Sequence, residues 1–160
     1  MVRVLFVCMG NICRSPTAQG MFEYLLEKEG MSGKIGVDSA GTHAYHVGEP
    51  PDQRANSAAM RRGIDISQQR ARKVSPSDFV QFDYVLAMDG DNFNLLAAIC
   101  PPEHLQKLTL FLDYAKHLGG SEVPDPYYGG TNGFEQVLDF VEAASEGLLK
   151  DIKQSRKLAQ

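Results

Sequence analysis

Short apolar segments typical of β-strands alternate with amphipathic helical segments along the chain, and this alternation restricts the fold more than any other feature. Strands are predicted for Val2 to Val7, Ile35 to Ala40, Asp83 to Met88 and Lys107 to Phe111. Helices are predicted from Pro16 to a stop at Gly30, over 52–62, 75–81 and 91–99, and from Phe134 to Ile152. Strands separated by helices usually pair in parallel, so this order predicts an α/β fold with helices on both faces of the sheet. We see no repeat or linker, so residues 1–160 are predicted to form one domain.

The composition is that of a globular protein and argues against two classes of partner. Hydrophobic residues make up 43 % of the chain, and 16 Lys and Arg against 20 Asp and Glu give a net charge of −4. A mildly acidic chain without a long basic run is a poor nucleic-acid binder. No apolar run approaches the roughly 20 residues that span a bilayer, so we expect no membrane partner. Three cysteines, an odd number, suit a reducing compartment, and we expect a cytoplasmic protein.

The segment between the first strand and the first helix carries the most chemistry. It runs from Cys8 to Arg14, and Ser15 with Pro16 is expected to open the helix that follows. Helix N-termini present unpaired N–H groups and a positive dipole end, which together favour anions. Glycine at position 10 allows close approach of the backbone, and Asn11 tolerates left-handed angles. The predicted phosphate-binding residues are therefore Met9, Gly10, Asn11, Ile12, Cys13 and Arg14.

Cys8 and Arg14 supply reactive groups to this predicted loop. A thiolate at Cys8 would lie below a bound phosphorus atom, in position for in-line attack. The planar guanidinium of Arg14 matches two phosphate oxygens. Ser15 is expected to hydrogen-bond the sulfur and make it a better leaving group. The alternative is a buried structural cysteine beside a tight turn.

The loop closely resembles the signature V-C-x-G-N-x-C-R-S-P of the low-molecular-weight protein tyrosine phosphatases, which matches Val7 to Pro16 without a gap. The resemblance continues through Ser39-Ala40-Gly41, Gly48-Glu49-Pro50-Pro51-Asp52, Phe82-Asp83-Tyr84, Met88-Asp89 and Asp125-Pro126-Tyr127-Tyr128. It implies a four-stranded parallel sheet, a phosphate-binding loop after strand 1, no metal or organic cofactor, and hydrolysis of phosphotyrosine through a cysteinyl-phosphate. The implied partners are tyrosine-phosphorylated proteins, a tyrosine kinase being one candidate, and small aryl phosphates in vitro. We expect a monomer or a weak dimer.

The resemblance also assigns a general acid and the walls of the substrate cleft. From the residues alone, a loop aspartate in an Asx turn is the favoured interpretation of Asp125, and a proton donor is the alternative. The matching D-P-Y-Y segment assigns the general acid to Asp125. It also implies that Tyr127 and Tyr128 line the cleft opposite Tyr45. The branched side chain of Ile12 is expected at the mouth of the cleft, the alternative being that it faces the core.

Two further positions concern redox chemistry and loop support. Cys13 is either a small core residue or a thiol able to trap oxidised Cys8 as a disulfide. Asn11, Ser15 and Ser39 are expected to support the loop. Many members of the family have a histidine that orients this group, where the present chain has Gln68 or Gln69. A glutamine amide is expected to bridge the same side chains without ionising.

Three other activities are compatible with parts of the pattern. Arsenate reductases have the same loop but need two further redox cysteines, and only Cys100 remains here. Phosphoarginine phosphatases have Thr where this chain has Ile12. A phosphopeptide-binding module without catalysis would lack the nucleophile or the acid, whereas both Cys8 and Asp125 are present.

Overall fold

A computed structural model describes residues 1–127 and 132–156 and shows four strands and five α-helices in that part of the chain. The strands are β1 (Val2–Cys8), β2 (Ile35–Gly41), β3 (Tyr84–Ala87) and β4 (Leu108–Leu110). The helices are α1 (Arg14–Lys28), α2 (Gln53–Met60), α3 (Pro76–Gln81), α4 (Gly90–Ile99) and α5 (Asn132–Arg156). Two 3₁₀ segments, Pro102–Lys107 and Phe111–Leu118, flank β4.

All four strands run parallel, in the order β2-β1-β3-β4. The central strand β1 pairs along its whole length with β2, so that Cys8 lies opposite Gly41. On its other side β1 pairs with β3, with Val7 opposite Ala87. The carboxyl ends of three neighbouring strands therefore meet where the loop leaves β1. Ligands of open parallel sheets bind outside this edge.

Alternate residues of β1 enter two separate cores, as the two-residue period of a strand requires. Val4 and Phe6 pack with α1, α2 and α5 on one face, where Phe6 and Phe22 meet edge to face at 5.9 Å. Leu5 and Val7 face the opposite core, which α3 and α4 cover. Both faces of the sheet are thus buried, and the α/β fold expected from the sequence is confirmed.

The first helix begins earlier than the sequence predicts. Arg14 is its first residue and Cys13 its N-cap position, and no side chain caps this end. The hydroxyl of Ser15 bonds the sulfur of Cys8 instead of capping the helix. Pro16 is tolerated at the third helical position because the first four N–H groups of a helix have no intrahelical partner. The helix ends at Lys28, just before Gly30, whose φ is 70°.

The 3₁₀ segment after β4 was not predicted from the sequence. Phe111, expected as the end of the fourth strand, leaves the sheet and packs on Phe6 with 4.9 Å between ring centroids. Leu112 and Ala115 are buried in the same core. Among the described helices, none has the length and apolar character needed to cross a bilayer.

Candidate active site

The ends of β1 and β2 hold the beginning of the loop in place. The N–H groups of Thr42 and His43 donate to the carbonyls of Cys8 and Met9 at 2.9 and 3.0 Å. A Cβ atom at Gly41 would lie 2.8 Å from the Met9 carbonyl oxygen, closer than folded proteins allow. Glycine at position 41 therefore lets β2 approach the loop closely.

Within the loop, the left-handed backbone conformation falls at Asn11, with φ of 58°. Asparagine is one of the few residues other than glycine that adopt this conformation readily. Gly10 has a different role, since a Cβ there would lie 3.1 Å from the ring of His46. The sequence predicts that both Gly10 and Asn11 shape the loop backbone, but only Asn11 adopts a left-handed conformation.

The sulfur of Cys8 accepts hydrogen bonds from the start of α1. Its Sγ lies 3.0 Å from Oγ of Ser15 and 3.5 Å from the backbone nitrogen of the same residue. Both contacts place donors beside the sulfur, and the positive end of the α1 dipole adds to them. These donors can stabilise negative charge on the sulfur of Cys8.

A chain of hydrogen bonds holds the hydroxyl group of Ser15 in place. The Asn11 amide Nδ2 donates to Oγ of Ser15 at 2.8 Å and to Oγ of Ser39 at 3.0 Å. Because Ser15 accepts from Asn11, its own proton can point at the sulfur at 3.0 Å, which lies nearer than its other possible acceptor, the carbonyl oxygen of Ala40 at 3.5 Å. The Asn11 carbonyl oxygen in turn accepts from the backbone nitrogen of Arg72 at 3.0 Å. The three support residues expected from the sequence therefore come together around the sulfur.

The glutamine in this network is not the one expected from the sequence. Ser39 donates to Oε1 of Gln19 on α1 at 2.7 Å. The Gln69 amide donates instead to the carbonyl of Pro16, and the Gln68 amide contacts Oγ of Ser67. The expectation that Gln68 or Gln69 bridges these side chains is wrong, because both amides have other partners. Gln19 was missed because one polar helix position does not reveal which strand it faces.

Arg14 is buried, and three groups from two other segments surround its guanidinium. Its Nη1 lies 2.6 Å from Oδ2 of Asp89 and donates to the carbonyl of Val123 at 3.0 Å. Its Nη2 lies 3.6 Å from Oδ2 of Asp125. Burial alone would lower the pKa of the guanidinium, but the charge of Cys8 and the bond to Asp89 raise it above its usual value. Arg14 therefore stays charged and fixed beside the sulfur.

Asp89 was not singled out as a site residue, although it follows β3 at the edge where ligands bind. Its Oδ1 accepts from the backbone nitrogen of Asn92 and caps α4, while its Oδ2 faces Arg14. The cap and the ion pair use different oxygens of one carboxylate. The position after a central parallel strand was the signal that could have identified it.

Asp125 makes an Asx-turn contact and also places its carboxyl group at the cavity. Its Oδ1 accepts from the backbone nitrogen of Tyr127 at 3.1 Å, which is an Asx-turn contact. Its Oδ2 faces Arg14, and the residue lines the same cavity as Cys8. The turn orients the carboxyl group, and one oxygen remains available to a ligand in the cavity.

A cavity of 430 Å³ opens above the sulfur. The loop residues Cys8, Met9, Gly10, Ile12, Cys13 and Arg14 line it together with Tyr45, His46, Asp125 and Tyr127. Tyr45 and Tyr127 lie on its walls as expected, and Ile12 lines it although only 9 % of that residue is exposed. Tyr128, also expected on a wall, lies outside the described residues.

Three features of the walls were not anticipated. His46 lines the cavity, and its Nδ1 lies 2.7 Å from Oε2 of Glu49. His46 follows Tyr45 in the same loop, so the expected position of this loop at the cleft could have identified His46 as a lining residue. Tyr45 stacks on the ring of His43 at 5.0 Å, with the two planes 9° apart. The guanidinium of Arg54 lies 5.4 Å from the ring centroid of Tyr127.

Cys13 is a buried, free thiol. Burial raises its pKa well above the usual value, and the negative charges of Asp52, Cys8 and Asp125 raise it further. The neutral thiol form of Cys13 is therefore favoured. Within residues 1–127 and 132–156, no group of three or more His, Cys, Asp or Glu side chains is arranged to hold a metal ion.

The fold and this edge define a class of protein: a parallel α/β protein with a cysteine in the loop that leaves its central strand and a buried arginine at the start of the following helix. The family model described as low molecular weight phosphotyrosine protein phosphatase matches residues 3–158. The chain belongs to this family, whose members are phosphoric monoester hydrolases that act on phosphotyrosine through a cysteinyl-phosphate intermediate. The family, the enzyme class and the function predicted from the sequence are thus confirmed.

Individual relatives match over almost the whole chain. A Synechocystis sp. protein is 46 % identical over 152 residues, 94 % of this chain and 96 % of its own length. The Bacillus subtilis low molecular weight protein-tyrosine-phosphatase YfkJ is 40 % identical over 158 residues, covering 99 % and 100 % of the two chains. A crystal structure of an Entamoeba histolytica protein tyrosine phosphatase superposes with a TM-score of 0.94 at 39 % identity, covering 98 % and 99 %.

Proposed function

We propose that Cys8 is the nucleophile of a two-step hydrolysis and that Asp125 is its general acid and base. In the first step the thiolate attacks phosphorus, and the bond to the leaving oxygen breaks as that oxygen takes a proton from Asp125. The backbone N–H groups of the loop and the guanidinium of Arg14 hold the equatorial oxygens. The contacts of Ser15 with the sulfur carry this assignment, because they place two donors on the atom that must bear negative charge.

In the second step, water attacks the phosphorus of cysteinyl-phosphate and transfers a proton to the carboxylate of Asp125. The sulfur leaves as a thiolate, and the donors at Ser15 stabilise it. Inorganic phosphate departs, and Asp125 has regained the proton it lost. The second oxygen of Asp125 bonds the Tyr127 amide throughout, which keeps the carboxyl group oriented for both transfers.

The substrates that this site suits are phosphotyrosine residues of proteins, with small aryl phosphates as surrogates. The sulfur lies at the base of a cavity with Tyr45 and Tyr127 on its walls, and a phenyl ring fits between aromatic side chains. A shorter phosphoserine side chain would not bring its phosphorus to Cys8. A tyrosine kinase is one candidate substrate protein, and we propose a cytoplasmic monomer or weak dimer.

A panel of three substrates tests this proposal. Peptides of one sequence carrying phosphotyrosine, phosphoserine or phosphoarginine are compared by kcat/KM for phosphate release. Phosphotyrosine is expected to be preferred. A preference for phosphoarginine would refute the choice of substrate, whereas phosphate trapped on Cys8 in a rapid quench would still support the chemistry.

Ile12→Thr is expected to shift preference toward phosphoarginine. Ile12 lines the cavity and offers no hydrogen bond to a guanidinium, so the wild-type site leaves that group unpaired. Such a loss costs about 1–3 kcal/mol, or roughly 5- to 150-fold in relative rate. The ratio of kcat/KM for the two phosphopeptides measures the shift. Parallel losses of both activities and of thermal stability would mean that Ile12 acts mainly as a core residue.

The arsenate reductase alternative finds no support in the position of the remaining cysteine. Cys100 is buried at the end of α4, in the core on the α3 and α4 side of the sheet, and its thiol contacts the carbonyl of Pro101. It does not line the cavity above Cys8. The two cysteines that such a relay needs in addition to those of the loop are therefore not available.

We further propose that Cys13 protects Cys8 from irreversible oxidation. Peroxide converts the Cys8 thiolate to a sulfenic acid, and the Cys13 thiol then displaces water to form a disulfide. The negative charge of Cys8 is one of the causes that raise the pKa of Cys13. Oxidation removes that charge, but burial and the charge of Asp52, the larger causes, remain, so deprotonation of Cys13 becomes easier only in part.

Cys13→Ser is therefore expected to lose the ability to recover after peroxide. Each enzyme is treated with peroxide, then with a thiol reductant, and its activity is expressed relative to its own untreated rate. Wild type should recover most of its activity, while the variant should lose it because sulfenic acid proceeds to irreversible states. Mass analysis of the oxidised wild type should find Cys8 joined to Cys13, and a bridge to Cys100 would contradict the proposal.

A further inference from the structure

The start of α2 is attached to the loop that follows β1. The backbone N–H of Asp52 donates to the carbonyl of Ile12 at 2.8 Å. Asp52 also caps α2, because its Oδ1 accepts from the backbone nitrogen of Arg54 at 2.8 Å. Since Ile12 lines the cavity above the sulfur, the first turn of α2 has a fixed position relative to one part of the cavity lining.

Asp52 also fixes the direction of the Arg54 side chain. Nε of Arg54 donates to Oδ1 of Asp52 at 3.1 Å, and Nη2 donates to Oδ2 at 3.0 Å. This two-point contact matches the planar guanidinium to the carboxylate and restricts rotation of the Arg54 side chain. The hydrogen bond from Arg54 lowers the pKa of Asp52 below its usual value, so the carboxylate stays ionised and the pair persists at neutral pH.

The guanidinium held in this way lies over two aromatic rings. Its Cζ atom is 4.8 Å from the ring centroid of Phe134 and 5.4 Å from that of Tyr127. A cation at such distances is attracted to the electron-rich face of an aromatic ring. Phe134 is buried in the core at the start of α5, whereas Tyr127 lines the cavity above the sulfur. Arg54 therefore connects the ring of a wall residue to α2 and to the core.

We propose that Arg54 is a specificity-determining residue that positions the Tyr127 ring for contact with the phenyl ring of the substrate. Arg54 is not among the described residues that line the cavity, so it acts through Tyr127 rather than on the substrate. The inference rests on the proposed function, since it requires a phenyl ring to bind beside Tyr127. Its loss should affect only ligands that carry a ring, because the loop amides and Arg14 still hold the anion.

Two phosphonates that differ only by a phenyl ring test this role. Benzylphosphonate carries the ring, methylphosphonate lacks it, and neither is hydrolysed. Each is used as a competitive inhibitor of phosphotyrosine peptide turnover. The selectivity for the ring is the inhibition constant of methylphosphonate divided by that of benzylphosphonate. Arg54→Gln should lower this selectivity about two- to fivefold by weakening the binding of benzylphosphonate. Unchanged inhibition by methylphosphonate would also show that the anion site of the variant is folded.

Arg61→Gln is the matched control for the loss of a positive charge. Arg61 follows the last residue of the same helix and also pairs with a carboxylate, that of Glu135. Its guanidinium lies over no aromatic ring in the described part of the chain, so this variant should keep the selectivity of wild type. Equal weakening of both phosphonates in Arg54→Gln would mean that only the charge of Arg54 matters, and would refute a role specific to the ring.

Tyr127→Leu shows whether Arg54 acts through the wall residue. This variant should itself lower the selectivity, and adding Arg54→Gln should change it no further, since position 127 then carries no ring. An unchanged selectivity in Arg54→Gln, or the same loss from Arg54→Gln in both backgrounds, would overturn the proposal. If wild type shows no selectivity for the ring, the proposed preference for phosphotyrosine fails as well. If wild type selects the ring and Arg54→Gln still does so equally, only the role of Arg54 fails.

Discussion

Cys8→Ser is expected to abolish turnover while phosphate binding persists. A serine hydroxyl at this position has neither the nucleophilicity of a thiolate nor its ability to leave from phosphorus, and loss of a nucleophile typically costs about 10⁴-fold or more. The loop amides and Arg14 remain, so inorganic phosphate should still bind. Activity is measured as release of phosphate from a phosphotyrosine peptide, and binding by calorimetry with inorganic phosphate.

Cys100→Ser is the matched control for this experiment. Cys100 is also a buried free thiol, but it lies in the core beside α4, and a serine hydroxyl can keep the contact with the Pro101 carbonyl. This variant should retain wild-type activity. In wild type, acid quenching during turnover should trap phosphate on the peptide containing Cys8. A Cys8→Ser enzyme that kept more than about a hundredth of the wild-type rate would rule out the covalent mechanism.

Local signals in the sequence were sufficient for the fold and for the centre of the site. Alternating strand and helix patterns gave the parallel sheet, and the segment from Cys8 to Ser15 carried its chemistry within a few consecutive residues. The 3₁₀ segment Phe111–Leu118 could not be predicted from local signals, because it depends on the packing of Phe111 against Phe6 in the core. Contacts between distant segments override the local preference for a longer strand.

The residues missed at the site are those whose roles depend on neighbours distant in sequence. Asp89 meets Arg14 only because β3 lies next to β1 in the sheet. Gln19 reaches Ser39 only because α1 packs beside β2. The sequence around each residue does not reveal its partner, although the position of Asp89 directly after a central strand marks it as a candidate site residue. The same limit explains why Gln68 and Gln69 were expected in a network that neither of them joins.

Asp125→Asn is expected to slow formation of the phosphoenzyme, and to do so most for substrates with poor leaving groups. General acid catalysis contributes about 10²–10⁴-fold, and asparagine has no proton to give the leaving oxygen. The amide oxygen can still accept from the Tyr127 N–H, so the turn that orients residue 125 is expected to persist. The measurement is the burst rate for a series of aryl phosphates whose leaving groups differ in acidity. The loss should shrink as the leaving phenol becomes more acidic, because such a phenolate departs without protonation.

Comparison with Asp89→Asn distinguishes the loss of a proton donor from the loss of a carboxylate that holds Arg14. Both carboxylates lie near the same guanidinium, Asp89 at 2.6 Å and Asp125 at 3.6 Å, so either substitution removes a negative charge beside Arg14. Only Asp125 is expected to show a loss that depends on the leaving group, since Asp89 caps α4 and holds Arg14 without transferring a proton. Asp89→Asn should therefore lower the rate by a similar factor across the whole series. A uniform loss in Asp125→Asn as well would mean that Asp125 acts through Arg14, and that the proton comes from another group.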